Sequence, residues 1–175
     1  NFCFEEGQHF QSLICFELSL KNCKRIQDFG LKFLSCKWIR HLQLLETLNL
    51  NFDGCDKITN QGIKSLSCEG IQHLNSLTCL YLNFDGCETI SDKGLLSLCD
   101  GGIKSLESLT DLHLSFKNCR GIRDSSSRSS FELIQHLQSP KTSNFNFDRA
   151  IQDRATEEIE SLKTSDFFYL RAENN

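Results

Sequence analysis

A fixed spacing of cysteines constrains the fold of this chain more than any other feature of its sequence. The repeated cysteines are Cys23, Cys55, Cys87 and Cys119, and the interval between successive ones is constant. Three alternating apolar residues precede each of them, and an isoleucine follows three positions later. The interval is about 32 residues, and self-similarity at a period of roughly 20 to 50 residues is typical of stacked-repeat proteins. The sequence therefore predicts an array of equal units.

Each unit has the pattern of a strand, a turn and a helix. In the third unit the alternating apolar residues are Leu80, Leu82 and Phe84, which is the period of a strand with one buried face. The residue before each cysteine is always glycine or asparagine, and these tolerate a positive φ best, so we expect a left-handed turn there. Apolar residues from Leu95 to Leu109 then recur every three to five positions, which predicts an amphipathic helix with Asp92 at its N-cap.

These units must stack to be stable. A single unit buries too little apolar surface to offset the conformational entropy lost when its backbone is ordered. Because a helix separates each strand from the next, neighbouring strands must run parallel, about 4.8 Å apart. The sequence therefore predicts an α/β fold with one parallel sheet backed by helices.

The repeat also resembles a known family. The stretch Leu77-x-x-Leu80-x-Leu82-x-Phe84-x-x-Cys87-x-x-Ile90-x-Asp92-x-Gly94-Leu95 is similar to the cysteine-containing leucine-rich repeat of ribonuclease-inhibitor-like proteins. The resemblance covers residues 13 to about 124. It implies a solenoid, or horseshoe, with a curved parallel sheet on the concave side and helices on the convex side. Repeats of that family are usually a few residues shorter, which leaves the curvature open.

The frame of the repeat predicts the domain organisation. We expect four repeats at 13–44, 45–76, 77–108 and 109–140, after a segment 1–12 that resembles the end of a preceding repeat. The array is therefore expected to be cut at its front. In residues 141–175, Phe145-x-Phe147 and Phe168-x-Leu170 resemble strand positions, which predicts degenerate repeats or a C-terminal cap. The Ser125–Ser130 segment lacks the apolar helix positions, so we expect a loop, either a plain insertion or a phosphorylation site.

Composition narrows the choice of partners. The 19 Lys and Arg against 23 Asp and Glu give no basic excess for nucleic acid, and no apolar run reaches the roughly 18 residues of a membrane span. Without a close pair such as Cys-x-x-Cys among its ten cysteines, the chain is predicted to hold no metal and no cofactor.

The repeated cysteines are expected to be structural. They occupy one inward position after the turn, where a thiol can fill core space and satisfy backbone groups of the loop. A chain of this size with a full core needs no disulfides. We therefore expect reduced thiols and an intracellular, cytoplasmic location, with association to an organelle or the cytoskeleton left open.

The strand residues between the buried ones are the candidate binding residues, because side chains alternate between the two faces of a sheet. Their expected surface is polar, with Tyr81 and His113 exposed and with two central aspartates flanked by lysines. The candidates are Glu17, Lys21, Asn49, Asn51, Asp53, Tyr81, Asn83, Asp85, Asp111, His113 and Lys117. This pattern favours a scaffold or structural subunit that binds a protein through the concave face, and no small-molecule substrate is expected.

Two alternatives stay open. The family resemblance implies a possible substrate-recognition module of a ubiquitin ligase, since such repeats are found behind F-box segments. A more remote alternative is a cysteine-dependent enzyme that uses Cys79 with His113. Strand geometry puts their Cβ atoms about 8 Å apart, and an open sheet offers no oxyanion hole, so the chain is predicted not to be an enzyme.

Overall fold

The structure is a computed structural model that describes residues 12–122, 142–147 and 168–169. Its strands form a single sheet in chain order, and all neighbouring strands are parallel. They are β1 (Cys15–Ser19), β2 (Thr47–Asn51), β3 (Cys79–Asn83), β4 (Asp111–Ser115), β5 (Thr142–Asn146) and the two-residue β6 (Phe168–Tyr169). The predicted α/β architecture with a parallel sheet is confirmed. The Ser125–Ser130 segment lies outside the described residues.

Each of the first three strands is followed by a ten-residue helix and then a separate single 3-10 turn. The helices are α1 (Asp28–Lys37), α2 (Asn60–Glu69) and α3 (Asp92–Gly101), and the 3-10 turns are Ile39–His41, Ile71–His73 and Ile103–Ser105. The prediction of one continuous amphipathic helix was therefore wrong. Leu66 and Ile71 are both fully buried, but they are five residues apart. On a straight helix of 3.6 residues per turn, side chains five residues apart lie on different faces and cannot both contact one core. The helix therefore ends between them.

The predicted N-cap positions were also wrong by one residue. Asp28, Asn60 and Asp92 are the first helical residues, and the N-caps are Gln27, Thr59 and Ser91. The Asp28 carboxylate instead reaches the next unit, where it accepts hydrogen bonds from the Thr59 backbone N–H at 2.8 Å and the Thr59 hydroxyl at 2.7 Å. Asn60 makes the equivalent pair of bonds to Ser91, each 2.9 Å long. These side chains therefore join one unit to the next.

The apolar strand residues lie in register across the sheet. Leu50 is paired with Leu82, which is paired with Leu114, so the same position of each unit meets its equivalent, and all three are at most 2% exposed. Behind them the rings of Phe52, Phe84, Phe116 and Phe147 form a continuous stack, with successive centroids 5.3, 5.5 and 6.0 Å apart. A column of identical side chains therefore runs through the core from one unit to the next.

The left-handed turns predicted at the strand exits are confirmed. The φ angles are 59° at Asn22, 71° at Gly54, 67° at Gly86 and 60° at Asn118. Stacking adds a second constraint at Gly54, where a Cβ atom would lie 2.2 Å from the Asn22 side-chain oxygen. Glycine at this position therefore allows both the backbone conformation and the close approach of the neighbouring turn.

The cysteines that follow these turns face inward. Cys55, Cys87 and Cys119 are buried, and each thiol donates to a backbone carbonyl of the preceding unit, at distances of 3.0, 3.4 and 3.2 Å. The acceptors are the carbonyls of Leu20, Phe52 and Phe84. Burial raises the pKa of Cys87 to about 12, which keeps this thiol protonated and able to donate. Cys23, in the first unit, is half-buried.

A bilayer-spanning helix is not found among the described residues, where no helix has the length and apolar character to cross a membrane.

We predict that Gly62→Ala destabilises the chain although alanine is the better helix former. A Cβ atom at Gly62 would lie 2.4 Å from the Asp28 carboxylate oxygen that accepts the Thr59 backbone bond. Losing this charge-assisted bond should lower the free energy of unfolding by about 1.5 to 3 kcal/mol, measured by urea denaturation.

Gly30→Ala is the matched control, because Gly30 occupies the same helical position and a Cβ atom there would approach nothing closer than 3.8 Å. This change should be neutral or stabilise the chain by up to about 1 kcal/mol. Equal effects of the two substitutions would contradict the role assigned to Asp28.

Candidate functional site

The sheet has one face that none of the described helices covers, which we call the open face. In β2, β3 and β4 every second residue is buried against the helices, and the residues between them are partly exposed on the open face. The structure therefore brings most of the predicted binding residues onto one surface. Two of them, Glu17 and Lys21, lie at its exposed edge, in and just after β1.

Pairing of the strands arranges these side chains in two rows that cross the sheet. One row contains Asn49, Tyr81, His113 and Asn144, and the other contains Asn51, Asn83, Ser115 and Asn146. Asn144 and Asn146 were not among the predicted binding residues, because β5 begins one position early relative to the constant frame of the preceding strands. The alternation of these asparagines with the buried Phe145 and Phe147 was the signal that could have found them.

Tyr81 and His113 are stacked on each other. Their ring centroids are 4.4 Å apart and their planes differ by 10°. Both were expected to be exposed, but the contact leaves each only partly exposed, since each ring covers a face of the other. Burial lowers the pKa of His113, against the opposing effect of the Asp111 carboxylate, and this favours the neutral imidazole.

The charged residues at the strand exits bond to one another across units. The Lys21 ammonium lies 2.7 Å from the Asp53 carboxylate. One oxygen of Asp85 accepts bonds from the Ser115 hydroxyl and the Lys117 backbone N–H, both at 2.7 Å. Burial raises the pKa of Asp85, while these two bonds act in the opposite direction. These groups, expected to be available to a partner, also hold neighbouring units together.

Two asparagines of the open face have fixed orientations. The side-chain oxygen of Asn51 accepts from the Asp53 backbone N–H at 3.0 Å, and that of Asn83 accepts from the Asp85 backbone N–H at 2.8 Å. Each bond closes a turn just after the strand, and asparagine side chains often form such turns with the backbone two residues on. The amide groups are therefore held in one orientation by the backbone they cap.

The arrangement around Cys79 does not join its thiol to an imidazole. Strand pairing places Cys79 opposite Asp111, with its Sγ 3.8 Å from an Asp111 carboxylate oxygen, and places His113 opposite Tyr81. The same Asp111 oxygen accepts a 2.7 Å bond from the Thr110 hydroxyl. Over the described ranges, no cluster of three or more His, Cys, Asp or Glu side chains could hold a metal ion.

A shallow groove lies between the two rows, with a volume of about 230 Å³. Leu82 and Leu114 also contribute to its lining, and the rest of the lining is polar or aromatic. The lining residues are Asn49, Asn51, Tyr81, Leu82, Asn83, His113, Leu114, Ser115, Asn144 and Asn146.

Among the residues that the structure describes, the exposed large apolar ones all belong to the first unit. They are Ile14, Phe29, Phe33 and Leu44, and their exposed fractions are 57, 78, 51 and 58%. The residues at the equivalent positions of the second unit are all polar, namely Glu46, Gln61, Ser65 and Ser76. The outer surface of the first unit is therefore unusually apolar, as expected of a surface that contacts another molecule.

Comparison with known proteins gives little further information. No family model and no curated protein sequence matches the chain. Among solved structures it is similar to one described as the crystal structure of the Rad7 and Elc1 complex in yeast, with 19% sequence identity, a TM-score of 0.49, and coverage of 73% of this chain. The chain spans 27% of the length of that protein chain. At this similarity the match assigns neither a family nor a function.

The apolar surface of the first unit leads to a prediction about self-association. We expect the double variant F29Q/F33S, which copies the residues at 61 and 65, to reduce concentration-dependent association measured by light scattering after size-exclusion chromatography. The control K64Q/K104S changes two exposed side chains of later units and should leave association unchanged. Association equal in all three proteins would contradict the prediction.

The lowered pKa of His113 predicts a pH-dependent contribution to stability. The unfolded state takes up the proton first as pH falls, so His113 stabilises the native state less at about pH 5 than at about pH 7.5. The difference in unfolding free energy between the wild type and His113→Gln should therefore decrease towards low pH.

Chemical denaturation at several pH values measures this difference. Repeating the comparison in a Tyr81→Ala background should weaken the pH dependence, because the ring that helps to bury His113 is removed. A difference that does not change with pH would contradict the assigned burial effect.

Proposed function

We propose that the chain is a leucine-rich-repeat solenoid that acts as a non-catalytic protein-interaction scaffold, or as a structural subunit of a larger assembly. Binding would use the open face, which is the concave side of the proposed horseshoe. One observation carries the proposal: the open face presents two ordered rows of polar and aromatic side chains on consecutive strands. A rigid, patterned and extended surface of this kind suits a protein partner.

The strand register supports the solenoid. The first three strand pairs share one register, in which Glu17 pairs with Asn49, Asn49 with Tyr81 and Tyr81 with His113. Each helix also packs on the next helix of the series. The repeat length, the boundaries 13–44, 45–76, 77–108 and 109–140, and the ribonuclease-inhibitor-like type remain predictions on this basis.

Several contacts support a non-catalytic role. A cysteine nucleophile needs a nearby base to form the thiolate, and the nearest acidic or basic partner of Cys79 on the next strand is a carboxylate. The His113 ring is stacked on Tyr81 of the neighbouring strand β3. An open sheet face also lacks walls that would exclude water from a reaction.

The cysteine contacts support a reducing compartment. The thiols of Cys55, Cys87 and Cys119 donate to backbone carbonyls, and this use of the S–H group requires the reduced form. We therefore propose an intracellular location. The role in a ubiquitin ligase stays a prediction from the family resemblance alone.

The proposal predicts that a positive charge on the open face weakens partner binding, while the same charge on the helix side does not. Asn49 lies on the open face, paired with Glu17 on one side and Tyr81 on the other, and Gln61 is exposed on α2. We expect Asn49→Arg to reduce the amount of cross-linked partner that is recovered by at least about tenfold. Loss of one interface contact of ordinary strength lowers affinity by about this factor.

Gln61→Arg is the matched control, since it replaces an amide with the same charged group. Partners are cross-linked in cells that express each variant, purified with it, and counted by quantitative mass spectrometry. Thermal unfolding of each variant checks that its fold is intact. Loss of partners with Gln61→Arg but not with Asn49→Arg would move the interface to the helices and overturn the proposal.

A further inference from the structure

We propose that the groove of the open face binds an extended polypeptide segment of a protein partner, whose main chain crosses the strands between the two side-chain rows and is hydrogen-bonded by asparagine amides. This inference rests on the proposed function, because it takes the open face as the binding face. It adds the conformation of the bound segment and the groups that recognise it.

The dimensions of the groove fit an extended chain. The two rows cross four consecutive strands, which at about 4.8 Å per strand gives a length of about 14 Å, or about four extended residues. The rows are two residues apart along each strand, a separation of about 6.6 Å. A helix with its side chains is about 10 Å wide, so it would rest on top of the rows, whereas an extended main chain can lie between them.

The hydrogen-bonding groups of the groove complement a peptide backbone. The fixed oxygens of Asn51 and Asn83 are occupied by their own turns, and over the described ranges their amide N–H groups make no hydrogen bond. These groups can donate to the carbonyls of a bound chain. Because both amides are already oriented, little side-chain entropy would be lost on binding.

The opposite end of the groove supplies acceptors. The side-chain oxygens of Asn144 and Asn146 are buried, and neither accepts a hydrogen bond from the part of the chain that the structure describes. A buried acceptor without a partner is unfavourable. The terminal torsion of an asparagine side chain is broad, so either amide can rotate to present its oxygen to a donor in the groove, and the bond removes that cost. A main chain offers both N–H and C=O groups along its length, so it can satisfy both ends of the groove at once.

The lining argues against other classes of occupant. Its described residues include no lysine or arginine, so they offer nothing to neutralise a nucleic-acid backbone. No carboxylate is found among the described lining residues either, and the lowered pKa of His113 favours a neutral ring at neutral pH. An uncharged, amide-rich groove therefore selects the main chain of a partner rather than a charged side chain.

The test uses a library of random linear dodecapeptides displayed on phage and selected against the full chain. Peptides that are enriched are synthesised, and their dissociation constants are measured by fluorescence polarisation. We expect the double variant N144L/N146L, which keeps the number of side-chain heavy atoms but removes both amides, to weaken binding at least about tenfold. Its thermal midpoint should not fall, because the lost oxygens have no described protein partner.

Asn75→Leu is the control, since Asn75 is exposed in a loop outside the groove. It should leave peptide binding unchanged. N-methylation at two successive peptide residues provides a second readout, because it removes main-chain donors without altering side chains. When the methylated peptide residues are those that contact Asn144 and Asn146, binding should weaken by at least about tenfold.

Two results would overturn the inference: no enrichment of any peptide, or enriched peptides whose binding is unaffected by both N144L/N146L and N-methylation. Either result is distinguishable from failure of the proposed function. If Asn49→Arg still removes cross-linked partners, the open face binds a folded surface instead of an extended segment, and only the inference of this subsection fails.

Discussion

Every unit of this chain is completed by its neighbours, and the equal spacing of the units makes this possible. The strand pairs from β1 to β4 keep one register, so the same positions meet at each junction. The polar links follow the same rule: Asp28 bonds to Thr59, and Asn60 bonds to Ser91. The cysteine thiols cross the first three junctions in the same way, and the phenylalanine stack crosses every junction from Phe52 to Phe147. Shifting one unit by a residue would turn its buried side chains outward and break all of these contacts together.

The sequence alone determined the parts of the fold that depend on local pattern. Alternating leucines predicted the strands, and glycine or asparagine predicted the positive φ at the strand exits, because both signals act within a few residues. It did not determine where each helix begins or ends. The N-cap position depends on which neighbour Asp28 bonds to, and the break before Ile71 depends on the position of the common core. Both are set by contacts with the adjoining units, which local propensity does not report.

The candidate site shows the same division. Alternation along the strands predicted a shared face for Asn49, Tyr81 and His113, and strand pairing puts them in one row. Their role in binding stays a prediction. Alternation did not predict that Tyr81 and His113 stack, or that Asp85 bonds to Ser115 and to the backbone at Lys117. Asn144 and Asn146 were missed because the spacing shortens by one position before β5. Side chains that looked available to a partner are in part used to fix the surface, and amides outside the regular frame complete the groove.

The turn residues show that the units are not interchangeable. Gly54 lies where any Cβ atom would have to displace the amide of Asn22, whereas at Gly86 the nearest neighbouring atoms are backbone atoms of Gly54 at 3.5 Å or more. Asparagine is therefore accommodated in a turn that follows a glycine turn, but not in one that follows another asparagine. A tandem duplication of the third unit could extend the array, whereas a duplication of the first would place two asparagines at one junction. During evolution, such a chain could therefore be lengthened by duplication of some of its units but not of others.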